Sequence, residues 1–186
     1  MKRQIAAERK KAMTAKEIIK KYNIFLSDDG ERIGTYHMDA VKKDGMLDTL
    51  KFLKPEIIST LKADKEAAEK AAGERRAKIE AIEGLKELEA AREAVIEYHN
   101  KFNEAMDSGD GLFPPTPKVN IDDLSAKYPR ANAYLTAESW SMSENYIKAS
   151  AGEKALERII DGEDHETAIA EMKREWDEYC KTHMWD

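Results

Sequence analysis

The chain has 186 residues, 41% of them hydrophobic and 37% charged, with a net charge of −6. That length suffices for one ordinary domain or two small ones without metal or disulfide staples, and the single cysteine, Cys180, excludes an intramolecular disulfide. No apolar h-region follows Met1-Lys2-Arg3, and no run approaches the roughly 18 to 20 apolar residues of a membrane span, so a soluble, cytoplasmic protein without a membrane partner is expected.

Charge is unevenly spread. Residues 1 to 21 hold Lys2, Arg3, Arg9, Lys10, Lys11, Lys16, Lys20 and Lys21 against two Glu, leaving a net −12 for the rest. Residues 1–13 lack a clear apolar face and read as a basic N-terminal arm. These eight cations supply one alternative function, nucleic-acid binding, against the plainer reading of a solvated basic helix.

At Thr14-Ala15-Lys16-Glu17 the pattern of a capping box starts a helix that carries Ile18, Ile19 and Tyr22 inward, with Asn23 as a left-handed stop. Ile24-Phe25-Leu26 and Arg32-Ile33-Gly34-Thr35-Tyr36 flank Ser27-Asp28-Asp29-Gly30, the composition of a β-hairpin. Met38 to Asp44 reads as a short helix ending at Gly45. Met46, Leu47, Leu50 and Leu53 follow at helical spacing, and Pro55 is expected to break or restart that helix before Ile57, Ile58 and Leu61.

From Pro55 to Met106 only Gly73 and Gly84 interrupt, so one long helix or two joined by a hinge are expected. Residues 64–78 are polar almost all round, whereas Ile79, Ile82, Leu85, Leu88, Val95, His99, Phe102 and Met106 recur near a 3.5-residue period. That repeat asks for a partner helix, and Ile82, Leu85, Leu88, Val95 and Phe102 are the expected self-association residues of a homo-oligomer. Residues 107–120 contain three of the five prolines and read as an interdomain linker. Beyond it come a short helix from Ile121 to Tyr128 closed by Pro129, a helix with Ala131, Tyr134, Leu135 and Trp140, one capped by Ser143 and stopped at Gly162, and one capped by Asp164 that buries Ile169, Met172, Trp176 and Tyr179.

The fold class expected is therefore mainly α with an α+β N-terminal part. It comprises a basic arm (1–13), an αββαα module (14–62), a long helix or spacer (63–106), a Pro/Gly linker (107–120) and a C-terminal helical domain (121–186).

Residues 14 to 61 carry Ile18, Ile19, Ile24, Leu26, Asp29, Gly30, Ile33, Leu47, Leu50, Leu53, Glu56, Ile57, Ile58 and Leu61 in the order helix, hairpin, helix, helix. In this the segment resembles the small N-terminal docking domains of hybrid peptide and polyketide synthetases such as the tubulysin system. The resemblance covers about a quarter of the chain and implies a dimerising module that captures an extended peptide beside its hairpin by strand addition. The 186 residues themselves contain no synthetase domain after the segment, a departure from that context. The segments Lys127-Tyr128-Pro129-Arg130-Ala131 and Ala151-Gly152-Glu153-Lys154-Ala155, with the Trp176 helix, look like uncharacterised accessory proteins of phages and mobile elements of Gram-positive bacteria.

Catalytic signatures are wanting. Cys180 and His183 stand one helical turn apart, but two ligands do not make a structural zinc site. None of His37, His99, His165 and His183 has Glu three residues before it, and no His-Glu-x-x-His, Walker or Gly-x-Gly-x-x-Gly pattern occurs. No catalytic, cofactor-binding or metal-binding residue, and no cofactor, is expected. Eight carboxylates at residues 161–178 face only Lys173 and Arg174; they read as a solvated face or, in a second alternative, as an acidic nucleic-acid mimic. The expectation is a non-enzymatic accessory or regulatory protein that binds another protein, extending to inhibition of a host system. Its expected partner-binding residues are Ile24, Leu26, Ile33, Tyr36, Trp140 and Trp185.

Overall fold

The computed structural model describes residues 13–109 and 112–183. The fold is mainly α, with a single two-stranded sheet near the N-terminus among the described residues. Two compact units divide at Gly73/Glu74. Among the described residues no helix is long and apolar enough to cross a membrane.

Unit 1 begins with α1 (Ala15–Tyr22). Thr14 caps it: its hydroxyl accepts from the Glu17 N–H at 3.3 Å, while the Glu17 carboxylate accepts from the Thr14 N–H at 2.8 Å. Asn23 stops the helix in the left-handed region at φ 46°. Strands β1 (Ile24–Leu26) and β2 (Ile33–Thr35) pair antiparallel in the register Ile24↔Thr35, Phe25↔Gly34, Leu26↔Ile33. Helix α2 (Met38–Lys43) follows, then α3 (Leu47–Glu80), a helix of 34 residues. The core of unit 1 gathers Ala15, Ile18, Tyr22, Ile24, Val41, Leu50 and Ile57.

Pro55 does not break α3, contrary to expectation. A proline inside a helix costs about 3 kcal/mol through its missing N–H and its clash with the preceding turn. Leu50 before it and Ile57 after it are both buried in the same core, which holds the helix through the defect. From Lys62 to Lys78 the helix is exposed all round, as the spacer composition implies.

Unit 2 packs α4 (Leu85–Ser108), α5 (Ile121–Lys127), α6 (Pro129–Ser141), α7 (Tyr146–Ile160) and α8 (His165–His183) around one core. Gly84 separates α3 from α4 at φ +74°, and a Cβ there would lie 2.1 Å from the Tyr128 ring, so only glycine fits both the turn and the contact. Gly152 brings α7 onto α6: a Cβ would meet backbone atoms of Ser141, Ala137 and Trp140 at 2.4 to 2.8 Å. Arg130 donates to the Ile159 carbonyl at 2.6 Å, a cation at the C-terminal end of α7 where the helix dipole favours it.

Several boundaries differ from the sequence reading. Asn145, not Ser143, caps α7, because its side chain accepts from the Ile147 and Lys148 N–H groups. Asp164 does cap α8, accepting from the Thr167 N–H at 2.9 Å. The 107–120 segment is not an interdomain linker, since it joins α4 to α5 within unit 2. It also folds back on its own helix, stacking Phe113 on Phe102 at 5.1 Å.

Candidate functional site

In unit 1 the hairpin has two unlike faces. Ile24, Leu26, Ile33 and Thr35 share one, since alternate residues and cross-strand partners project together. Phe25 lies across Gly34 on the other, and its ring stacks on Tyr36 at 4.9 Å. Between the strands, Ser27 and Asp29 close the turn. The Asp29 carboxylate accepts from the Ser27 hydroxyl, the Glu31 N–H and the Arg32 guanidinium, which lower its pKa to about 2.

The Ser27 N–H donates to the Arg32 carbonyl at 2.8 Å, and in an antiparallel pair bonded and non-bonded positions alternate. The N–H and C=O groups of Ile33 and Thr35 are therefore directed away from β1, on an edge with which no other strand among the described residues pairs. Beside that edge runs a groove of about 350 Å³, whose apolar floor includes Ile24, Ile33, Leu47 and Leu50. Arg32, Lys51 and Lys54 line it, with no carboxylate among its lining residues. Arg32 and Lys51 form exposed ion pairs with Asp29 and Asp48, contacts weak enough to be exchanged, and Lys54 forms none among the described residues.

A larger hollow of about 1020 Å³ lies where Met13, Tyr22, Met46, Leu53 and the 82% exposed Phe52 meet Lys21, Lys43, Asp44 and Asp48. Its charges are of both signs and partly committed. Lys21 and the Tyr22 hydroxyl both donate to Asp44 at 2.7 Å, holding that carboxyl below its usual range and raising the Lys21 pKa.

In unit 2, aromatic side chains from two helices form a continuous row. Trp140 on α6 meets Trp176 on α8 edge-to-face at 6.4 Å, Trp176 stacks on Tyr179 at 5.6 Å, and Tyr179 stacks on His183 at 4.4 Å. Lys148 of α7 sets its ammonium 5.0 Å from the Trp140 ring and 5.9 Å from the Trp176 ring. Trp176 and Tyr179 are half-buried rather than core residues, because their outer faces look away from the bundle. Met142 and Tyr146, in the chain between Trp140 and Lys148, are 76% and 80% exposed.

The expected residues fall in different places. Ile24 is a core residue at 5% exposure and reaches the groove only through its floor, whereas Leu26 and Ile33 are half-buried and Tyr36 is 84% exposed on the opposite face. Ile82, Leu85 and Leu88 are not an outer stripe: they are buried with α6, α7 and α8 in unit 2, so their partner helices belong to the same chain. Val95 is half-buried, and Phe102 is covered by Phe113. Lys2, Arg3, Arg9, Lys10, Lys11 and Trp185 lie outside the described residues; Lys16 and Lys20 are exposed on α1.

Among the carboxylates of residues 161–178, six are engaged within unit 2. Asp161 pairs with Lys78, Glu163 and Glu171 with Arg158, Glu175 with Lys154 and Glu178 with Arg174, while Asp164 caps α8. These pairs are largely exposed, so they are weak contacts of the same kind as those beside the β2 groove. His183 turns its Nδ1 toward the Thr182 hydroxyl and the Tyr179 carbonyl, within the aromatic row. No group of three or more His, Cys, Asp or Glu among the described residues is placed to hold a metal ion.

The free edge of β2 and the row centred on Lys148 had no sequence signal beyond the hairpin pattern and the concentration of aromatics. No protein-family model matches the chain, and no curated protein or solved structure matches it significantly.

Proposed function

We propose that the chain is a non-enzymatic accessory protein whose hairpin unit binds an extended, acidic segment of another protein by strand addition along β2. The observation that carries this reading is the juxtaposition of a free strand edge with a groove of apolar floor and three cations. Main-chain hydrogen bonds to Ile33 and Thr35 would supply affinity, alternate side chains would enter the groove, and acidic residues would meet Arg32, Lys51 and Lys54. Charge over the whole unit runs the same way. Residues 1–73 hold 16 Lys or Arg against 12 Asp or Glu, a net +4 in a chain of net −6.

The test is an amide NMR titration of the full chain with a synthetic peptide alternating Asp with Val or Ile. Binding should move the Ile33 and Thr35 amides most. Ile33→Pro should abolish it, because the lost N–H points away from β1 and the ladder through Phe25 and Gly34 is left standing. Shifts confined to other surfaces, or undiminished binding by Ile33→Pro, would refute the strand-addition reading.

A further inference from the structure

The row on unit 2 is a second surface, and its central residue is unusual. Lys148 is half-buried with its ammonium over two indole faces, yet no carboxylate among the described residues lies within ion-pair distance of it. The neighbouring cations are served: Lys154 has Glu175 at 2.9 Å and Arg158 has Glu163 and Glu171. A cation that rests on two rings and has no ion-pair partner among the described residues gains from an incoming anion, and the gain grows as that anion excludes water.

The surroundings specify the rest of the ligand. Trp140, Trp176 and Tyr179 are the residue types that dominate binding hot spots, and they are held in place before any partner arrives. Gly152 presses α7 against the backbone at Trp140, and Met172, beside Trp176 on α8, is buried in the core. Exposed Tyr146 and Met142 extend the apolar area around the cation. We propose that this surface docks an acidic linear segment of a protein partner, with one Asp or Glu carboxylate on Lys148 and a flanking apolar or aromatic side chain on the Trp140, Trp176 and Tyr179 rings.

A nucleic-acid strand shares the anionic and stacking chemistry but suits the surface less well. Residues 74–186 hold 15 Lys or Arg against 25 Asp or Glu, a net −10 that repels a polyanion and tolerates a single carboxylate between apolar groups. The site is distinct from the β2 groove, so the chain would engage two acidic segments through two separate units.

The experiment is selection from a random peptide display library on the full chain carrying Ile33→Pro, which silences the hairpin edge. Affinities of the selected peptides are then read from tryptophan fluorescence. The expected result is a consensus of Asp or Glu beside an aromatic or aliphatic residue, with affinity lowered at least about tenfold by Lys148→Glu. Lys148→Met, which keeps an unbranched stem on the indoles, should lose the same affinity with an unchanged circular dichroism spectrum. A consensus without an acidic residue, affinity unchanged in Lys148→Met, failure to select any peptide, or tighter binding of an oligo-dT strand at the same residues would each overturn the proposal.

Discussion

Asp29 shows how much one side chain does in a three-residue strand pair. It accepts hydrogen bonds from three groups in the turn, the Ser27 hydroxyl first, then the Glu31 N–H and the Arg32 guanidinium, and they hold its carboxyl at about 2. An unfolded chain would place that pKa near roughly 3.9. Because the folded value is the lower one, the contribution of Asp29 to the hairpin is complete above about pH 4 and is lost as the pH falls through 2. NMR should therefore show the Asp29 carboxyl titrating near 2, with the Glu31 amide shifting in step; titration near the unperturbed value would mean the turn is not closed by this residue. The same local chemistry made the turn legible in the sequence. Thr14, Asn23, Asp29 and Asp164 act on backbone within a few residues of themselves, so their roles can be read from spacing alone.

Lys148 lies at the other extreme. Its partners are eight residues away on the preceding helix and twenty-eight away on α8, and only the packing of α6, α7 and α8 brings them together. No periodicity encodes that meeting. Ser143 and Asn145 illustrate a milder failure, since both are good capping residues and the choice between them depends on where α7 packs.

At the scale of elements, the helices and the hairpin were readable and their partners were not. The 3.5-residue repeat in residues 79–106 calls for a neighbouring helix, and for Ile82, Leu85 and Leu88 the neighbours are α6, α7 and α8 of the same chain. Leu85 and Leu88 are 4% and 0% exposed in the core they share with α6, α7 and α8. Replacing both by Asp removes two buried aliphatic chains and inserts two carboxylates, a loss on the order of 5 kcal/mol or more, comparable to the whole stability of a small domain. The Leu85→Asp/Leu88→Asp chain should lose much of its helical circular dichroism. A fully helical variant that changed only its light-scattering mass would restore the outer-stripe reading.

Pro55 and the 107–120 segment mislead for a related reason. Proline-rich composition signals a break when the flanking residues are independent, but here Leu50 and Ile57 enter one core on either side of Pro55. Phe113 likewise ties its loop to α4. Tertiary packing outweighs local propensity in both places.

Over the whole molecule, charge separates with the fold. The N-terminal unit is net positive and the C-terminal unit strongly negative, while each carries one surface whose local chemistry suits an acidic peptide. The basic groove beside β2 follows the trend of its unit. The Lys148 surface runs against its own, which restricts it to ligands with few charges. This charge arrangement fits the proposed docking of short acidic segments better than the coating of a polyanion.

The most direct test is affinity capture with the full chain from its native cell extract, run with and without nuclease and repeated with Ile33→Pro and Lys148→Met. A protein recovered in stoichiometric amount after nuclease, and lost from the Ile33→Pro capture, is the result expected of a peptide-binding hairpin unit. Recovery of nuclease-sensitive material alone, or of a protein indifferent to both substitutions, would contradict it.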